Sequence, residues 1–286
     1  MSPTRVAITG AYGYLGGVIR DELDRRGMST VALARTPRPG DDARHHDLTS
    51  DIDPAIFDGC DALVHCSYDF TAVEADDIWR INVDGSKRLL TAARDAGVET
   101  IVTLSSMSAY EGTTQFYGRA KLDIEAATTA VGGCSIRPGL VYGDEPGGMA
   151  GALLKLTALP LTPIVGARSH QFLVHEDDLA AAVGDLVAMG DPPARVLGIA
   201  WPEPVTFADV LGTFARQAGQ TPRFVPLPWR LLHLALRAAE MTPISLPFRS
   251  DSLLGLVRPA PEVIAADEVR ALGIEIRPFE VEPGRA

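Results

Sequence analysis

The chain has 286 residues, 46% of them hydrophobic and 22% charged, enough to bury one large core or two small ones and too evenly mixed for disorder. Its net charge of -11 comes without a basic tract, which argues against nucleic acid or an anionic membrane as partner. Three cysteines, Cys60, Cys66 and Cys134, show no paired spacing and predict reduced thiols, not a disulfide framework. A first strand beginning by Arg5 leaves no room for a signal peptide, and no run approaches the roughly 20 apolar residues of a membrane span. The expectation is a globular, cytoplasmic protein.

Val6-Ala7-Ile8 reads as a short buried strand, and Val18, Ile19 and Leu23 fall at helix spacing behind it, in a helix closed by Gly27. Gly10-Ala11-Tyr12-Gly13-Tyr14-Leu15-Gly16 therefore occupies a strand-to-helix turn. Gly10 allows the tight turn, Gly13 lets backbone approach a pyrophosphate, and Gly16 lets the helix lie close on the sheet. Phosphates would meet free N–H groups at the positive end of that helix, with Tyr12, Tyr14 and Leu15 in the same turn. The second strand, Thr30 to Ala34, ends at Arg35. An acidic residue there would hold ribose hydroxyls and repel a 2′-phosphate, whereas an arginine pairs with it, so the chain favours NADP(H) over NAD(H).

His45-His46-Asp47-Leu48 is a short third strand or its exit. Adjacent strand histidines project to opposite sides, so no metal site is expected. Asp47, with Leu48 beside it, is a candidate adenine contact or a turn residue. The fourth strand, Asp61 to Ser67, should bring Cys66 and Ser67 beneath the cofactor, with Cys66 a small filler, not a nucleophile. In a helix from about Asp76 to Ala96, the interior Asn82 has no cap to make, which points to a hydrogen-bonding task.

The fifth strand, Thr100 to Leu104, delivers Ser105-Ser106 to the sheet edge where ligands bind in open parallel sheets. Tyr117 and Lys121 follow, four apart and so on one helix face. Moving a tyrosine from its free pKa near 10 to about 7 takes some 4 kcal/mol of preferential phenolate stabilisation. A lysine one turn away and an oxidised nicotinamide can share that work, and the serine hydroxyl can position the substrate oxygen.

In this order the parts resemble the extended short-chain dehydrogenase/reductase family, the NAD(P)-dependent epimerase/dehydratase group. The matching pieces are Thr9 to Gly16, Asn82 to Ser86, Ser105-Ser106 with Tyr110 behind, Tyr117 to Lys121, Arg137 to Gly143, and Phe172 to Ala180. The resemblance implies a Rossmann-like, doubly wound parallel α/β sheet with a small mixed α/β C-terminal substrate lobe. Residues 1–143, with returning segments near 172–200, would bind NAD(P), and 144–171 with 201–286 would shape the substrate pocket. It makes Ser106, Tyr117 and Lys121 the catalytic set, with Ser105 the fallback serine, and lays Pro138 and Val141 against the nicotinamide. Val174-His175 to Ala180 would return to the core sheet, its aspartates capping a helix from Leu179. Similar proteins often dimerise through the helices carrying Asn82 and Tyr117.

Several residues depart from the pattern of members acting on nucleotide sugars. Leu140 stands where an asparagine usually meets the diphosphate, Gln171 where an arginine is common, and Met107-Ser108 where the dehydratases carry an acid pair. Arg168 could replace the arginine only if a loop brought it in. A diphosphate without these partners forfeits charge-assisted hydrogen bonds of roughly 1.5 to 3 kcal/mol each. The chain thus reads as an NADPH-linked reductase or dehydrogenase of a small, weakly charged substrate. The alternatives are a nucleotide-sugar epimerase or dehydratase and a non-catalytic NAD(P)-binding protein. Farther on, Glu145 to Gly151 reads as a flexible hinge, Leu153 to Leu159, Phe207 to Gln217, Leu231 to Met241 and Ala265 to Leu272 as helices, and Trp201, Phe207, Trp229 and Phe248 as mostly core aromatics. The pocket leans apolar, with no histidine or acid cluster that would mark a metal or a second acid/base pair.

Overall fold

The computed structural model describes residues 4–144, 147–159, 161–193, 195–240 and 250–281. Seven strands form one parallel sheet: β1 (Arg5–Thr9), β2 (Ser29–Ala34), β3 (Ala43–His45), β4 (Ala62–His65), β5 (Thr100–Leu104), β6 (Cys134–Pro138) and β11 (Val196–Ile199), in the order β11-β6-β5-β4-β1-β2-β3. Because β1 lies between β2 and β4, the strand order reverses there, opening a crevice at the carboxyl ends of β1 and β4. This is the doubly wound, Rossmann-like arrangement expected from the sequence.

The sheet is covered on both faces because its strands alternate with period two. Val6 and Ile8 pack with Ile19 and Leu23 of α1 (Tyr14–Arg25) and with Leu179, Val183 and Leu186 of α6 (Glu176–Ala188). Ala7, Leu63 and Ile101 face the other way, onto Leu89, Leu90 and Ala93 of α3 (Asp84–Asp95). Each fully buried aliphatic side chain contributes about 1.5–3 kcal/mol relative to exposure, so this sandwich is what fixes the strand ends from which the site is built.

The predicted helix from Asp76 is in fact α2 (Ala75–Ile78), a π turn (Trp79–Val83) and α3. One extra residue per turn does not disturb an apolar pattern enough to be read. Helix α4 (Phe116–Ala130) carries Tyr117 and Lys121. Beyond it, β7 (Leu140–Tyr142) pairs with β10 (Leu173–His175), β9 (His170–Gln171) with β12 (Val205–Thr206), and β8 (Leu161–Ile164) with β13 (Arg223–Pro226). Thus Val174-His175 does not rejoin the core sheet as expected; β11 takes that edge. Nor do the aspartates cap a helix at Leu179. Helix α6 starts at Glu176, and Asp178 instead accepts Nε and the backbone N–H of Arg277, both at 2.8 Å.

The remaining helices are α5 (Gly148–Thr157), α7 (Phe207–Gln217), α8 (Trp229–Glu240), α9 (Ser250–Val257) and α10 (Ala266–Ala271). Of the expected hinge, Gly148 to Gly151 are helical, while Glu145 and Pro146, like Met241 and Phe248, lie outside the described residues. Phe207 is core, whereas Trp201 and Trp229 are half-buried. The three cysteines are free thiols. Among the described residues no helix is long and apolar enough to cross a membrane.

Candidate active site

Gly10 turns the chain at φ +68°, and the N–H of Gly13 donates to its carbonyl at 2.9 Å. A Cβ on Gly16 would fall 2.1 Å from that carbonyl oxygen, so only glycine lets α1 begin this close to the turn. Gly13 caps α1 without a side-chain hydrogen bond, and no acidic residue sits in the first turn. The leading N–H groups are therefore available to an anion.

The turn is braced from below. Thr9 Oγ1 accepts the N–H groups of Cys66 and Ser67, both at 3.1 Å, so its own hydrogen goes to His65 Nδ1, 2.8 Å away. That sets the histidine tautomer, leaving Nε2–H to donate to Ser86 Oγ at 2.8 Å. Burial, with the nearby Lys121 charge adding to it, pushes His65 down to about 3 from its ordinary 6.5. A group held neutral in the fold contributes stability that is complete above about pH 6.5 and is lost as pH falls towards 3. Melting temperature followed from pH 7 to 4 should therefore fall less steeply in His65→Gln than in the parent; parallel slopes would contradict this bracing.

One cavity of about 1110 Å³ runs along the carboxyl edge of the sheet. It is lined by Gly10, Tyr12, Gly13, Tyr14, Leu15 and Gly16 from the turn, Arg35 after β2, Asp47 and Leu48 after β3, Cys66 and Ser67 after β4, Ser106 after β5, Tyr117 and Lys121 on α4, and Pro138 and Val141 around β7. Asn82 is the exception. It is fully buried in the π turn, accepting the Asp69 N–H at 2.6 Å and donating to the Asp69 carbonyl at 3.1 Å. Its hydrogen-bonding task is to hold the loop after β4, whose Ser67 to Phe70 form the cavity wall.

Arg35 is exposed at its end of the cavity. Arg38, which no local pattern marks, lies near it: its guanidinium is 4.1 Å from the Tyr12 ring centroid and its backbone N–H donates to the Tyr12 hydroxyl at 3.0 Å. Asp47 accepts the backbone N–H and hydroxyl of Thr49, both at 2.8 Å, and these bonds hold its carboxyl below the usual range. It is thus a turn residue whose site also faces the cavity. Cys66 is a filler whose thiol burial pushes up to about 12, unsuited to attack.

At the other end, the two serines divide. Ser105 is buried and bonded to Glu125, which itself takes two bonds from Arg137 at 2.8 and 2.7 Å. Both serines line the cavity, but Ser105 Oγ is committed to that carboxylate, whereas Ser106 Oγ accepts the Ser108 N–H at 3.1 Å. Burial pushes the Tyr117 phenol up to about 12, opposed by the smaller effect of a bond with the Ser106 hydroxyl. Lys121 Nζ donates to the Leu104 carbonyl at 2.7 Å and stands 5.9 Å from the Tyr117 ring centroid; burial brings it down to about 8. With the lysine in place the phenol still stands well above neutral pH, in keeping with a lysine that supplies only part of the phenolate stabilisation. The Tyr117 ring is held edge-on by Tyr68 at 5.0 Å and beside Phe70 at 5.7 Å.

The substrate side is apolar, with Met107, Leu140, Met149, Phe172 and Leu256. Gln171 lines it but spends its amide N–H on the Leu256 carbonyl at 3.1 Å. Arg168 does not reach it. Arg258 does, stacked 5.6 Å over Trp229, so an arginine reaches this pocket from a position other than the two weighed from the sequence. No local pattern marks that residue; it arrives by a fold-back from the end of α9.

The residues suit a dinucleotide: a glycine cradle that a Cβ would fill, uncapped helix N–H groups, and a buried Ser67 hydroxyl with no partner among the described residues. No group of three or more metal-ligating side chains occurs among the described residues. Residues 6–183 match the NAD dependent epimerase/dehydratase family. The chain is 28% identical over 238 residues to the ceramide reductase of Caulobacter vibrioides, covering 78% of this chain and 73% of that one. It is 27% identical over 291 residues to a Streptomyces dTDP-4-dehydro-6-deoxy-D-allose reductase, covering 80% and 88%. It also matches plant divinyl chlorophyllide a 8-vinyl-reductases, of whose length it spans just under two thirds. In fold it is similar to MoeE5 in complex with UDP-glucose and NAD, with a TM-score of 0.68 at 24% identity over 78% of this chain and 85% of that one. With the glycine turn and the serine, tyrosine and lysine on one cavity, this match over most of the chain means that it belongs to the NAD-dependent epimerase/dehydratase family and is an NAD(P)-dependent enzyme of the extended short-chain dehydrogenase/reductase type.

Proposed function

We propose that the chain is an NADPH-linked oxidoreductase that reduces a carbonyl, or oxidises the corresponding alcohol, on a small and weakly charged substrate. The observation that carries this reading is the convergence of Ser106, Tyr117 and Lys121 on one cavity whose substrate side is apolar. When bound, the nicotinamide supplies or accepts the hydride. In reduction the Tyr117 phenol donates its proton to the carbonyl oxygen, the Ser106 hydroxyl positions that oxygen, and Lys121 holds the ribose hydroxyls and the positive charge beside the phenol. Burial, which pushes this phenol up to about 12, keeps it protonated at neutral pH, as the reductive step requires of its donor. Residues 1–143 with 172–200 form the nucleotide-binding domain in this reading, and 144–171 with 201–286 the substrate lobe.

The ceramide reductase relative fits a weakly charged substrate. Arg258 favours a second reading, a nucleotide-sugar substrate, since its guanidinium is a cation on the apolar side; the allose reductase relative agrees with it. A lone exposed arginine offers far less to a diphosphate than an asparagine and arginine together, so the first reading stands ahead.

Arg35 decides the cofactor. Fluorescence titration should show NADPH binding about tenfold tighter than NADH, and Arg35→Ala should remove about that factor while leaving NADH unchanged. Tighter NADH binding in the parent would overturn the NADP(H) assignment.

A further inference from the structure

Helix α4 lacks a cap of its own. Gln115, at the cap position with φ -76° and ψ 136°, makes no side-chain bond to the helix amides. The carboxylate of Asp251, on α9 and 134 residues beyond Tyr117, supplies it: Oδ1 accepts the Phe116 N–H at 3.0 Å and Oδ2 the Tyr117 N–H at 3.1 Å. Two of the four orphan donors of this helix are thus satisfied from another part of the chain, by a negative charge at the positive end of the helix.

The same stretch is tied down along its length. The Tyr110 hydroxyl donates to the Arg258 carbonyl at 3.1 Å, and Ser169 and Gln171 both donate to the Leu256 carbonyl, at 2.7 and 3.1 Å. A Cβ on Gly255 would come within 3.2 Å of the Gln115 amide oxygen. Helix α9 and Arg258 therefore strap the segment joining Ser106 to Tyr117, and Asp251, Gly255, Leu256 and Arg258 face the cavity.

We propose that Asp251 is a positioning residue for Tyr117, fixing the first turn of α4, and with it the phenol, from the strap that closes the substrate side. The proposal rests on the reading of Tyr117 as proton donor. Tyr117 is the second residue of α4, so fraying of that turn moves its side chain directly, and a displacement of 1 Å can cost about 100-fold in rate.

The test compares Asp251→Ala, Asp251→Asn and the double variant Asp251→Ala with Gln115→Asp, which returns a capping carboxylate to the helix itself. In Asp251→Ala, amide hydrogen exchange at Phe116 and Tyr117 should speed up while that of β1 and β4 stays as in the parent. Turnover of a ketone should fall about 10- to 100-fold, with its KM and the NADPH Kd changed no more than about threefold. Asp251→Asn, which keeps an acceptor oxygen and the fold, should fall between, and the double variant should recover both protection and most of the turnover. Unchanged exchange or turnover in both single variants would overturn the proposal, as would a double variant that regains protection without turnover. Turnover retained in Tyr117→Phe would overturn the donor reading alone, because exchange reads the cap without it.

Discussion

Replacing Tyr117 by phenylalanine is expected to lower turnover by about 10²- to 10⁴-fold, the range that a positioned proton donor contributes. The substitution removes one oxygen and little else. The phenyl ring keeps its edge contact with Tyr68 and its neighbour Phe70, and the capped backbone of α4 is untouched. NADPH affinity should therefore stay within about twofold, so the loss falls on kcat. Turnover assayed beside a fluorescence titration checks both halves. A variant that turns over like the parent would sink the donor role, and one that no longer binds NADPH would mean that the phenol holds cofactor instead.

Replacing Gly16 by alanine is expected to abolish measurable NADPH binding, a loss of about 100-fold or more, and to destabilise the fold by about 1–3 kcal/mol. The added methyl would lie 2.1 Å from the Gly10 carbonyl oxygen, and Gly10 has no room to retreat, since its own Cβ position is 3.1 Å from the Ser67 nitrogen. The turn, the loop after β4 and the start of α1 would shift together, and all three line the cavity proposed to hold the dinucleotide. Gly27→Ala is the control. That glycine has φ +78° but nothing within 4 Å of a Cβ, so it should cost about 1–2 kcal/mol of stability and leave NADPH affinity alone. Calorimetric melting with parallel titration separates the two variants. Equal NADPH affinity in both would contradict the close-approach account of Gly16.

What could be read from the sequence is what is encoded locally. The glycine turn, the fifth strand with its serines, the Tyr117–Lys121 pair and α7 each carry their signal within a dozen residues, and each lies where the pattern placed it. The split between the two serines was half legible: Ser106 was preferred, but the reason, Ser105 bonded to a Glu125 that Arg137 holds in place, appears only when β5, α4 and β6 lie side by side. Asn82 announced a polar task without naming its partner, because the Asp69 backbone is brought to it by the π turn. Arg258 and Asp251 were not legible at all. Their chemistry depends on a return of the chain more than a hundred residues after Tyr110 and Tyr117, and nothing in the composition of α9 marks it.

Depletion of bound NADPH in a single turnover, with uncharged ketones and aldehydes in one arm and a 4-keto nucleotide sugar in the other, separates reduction of a weakly charged carbonyl from nucleotide-sugar chemistry. Rapid oxidation is expected with an uncharged carbonyl, lost in Tyr117→Phe, with little or none from the nucleotide sugar. Oxidation by the nucleotide sugar alone, or an equal rate in Tyr117→Phe, would contradict that expectation.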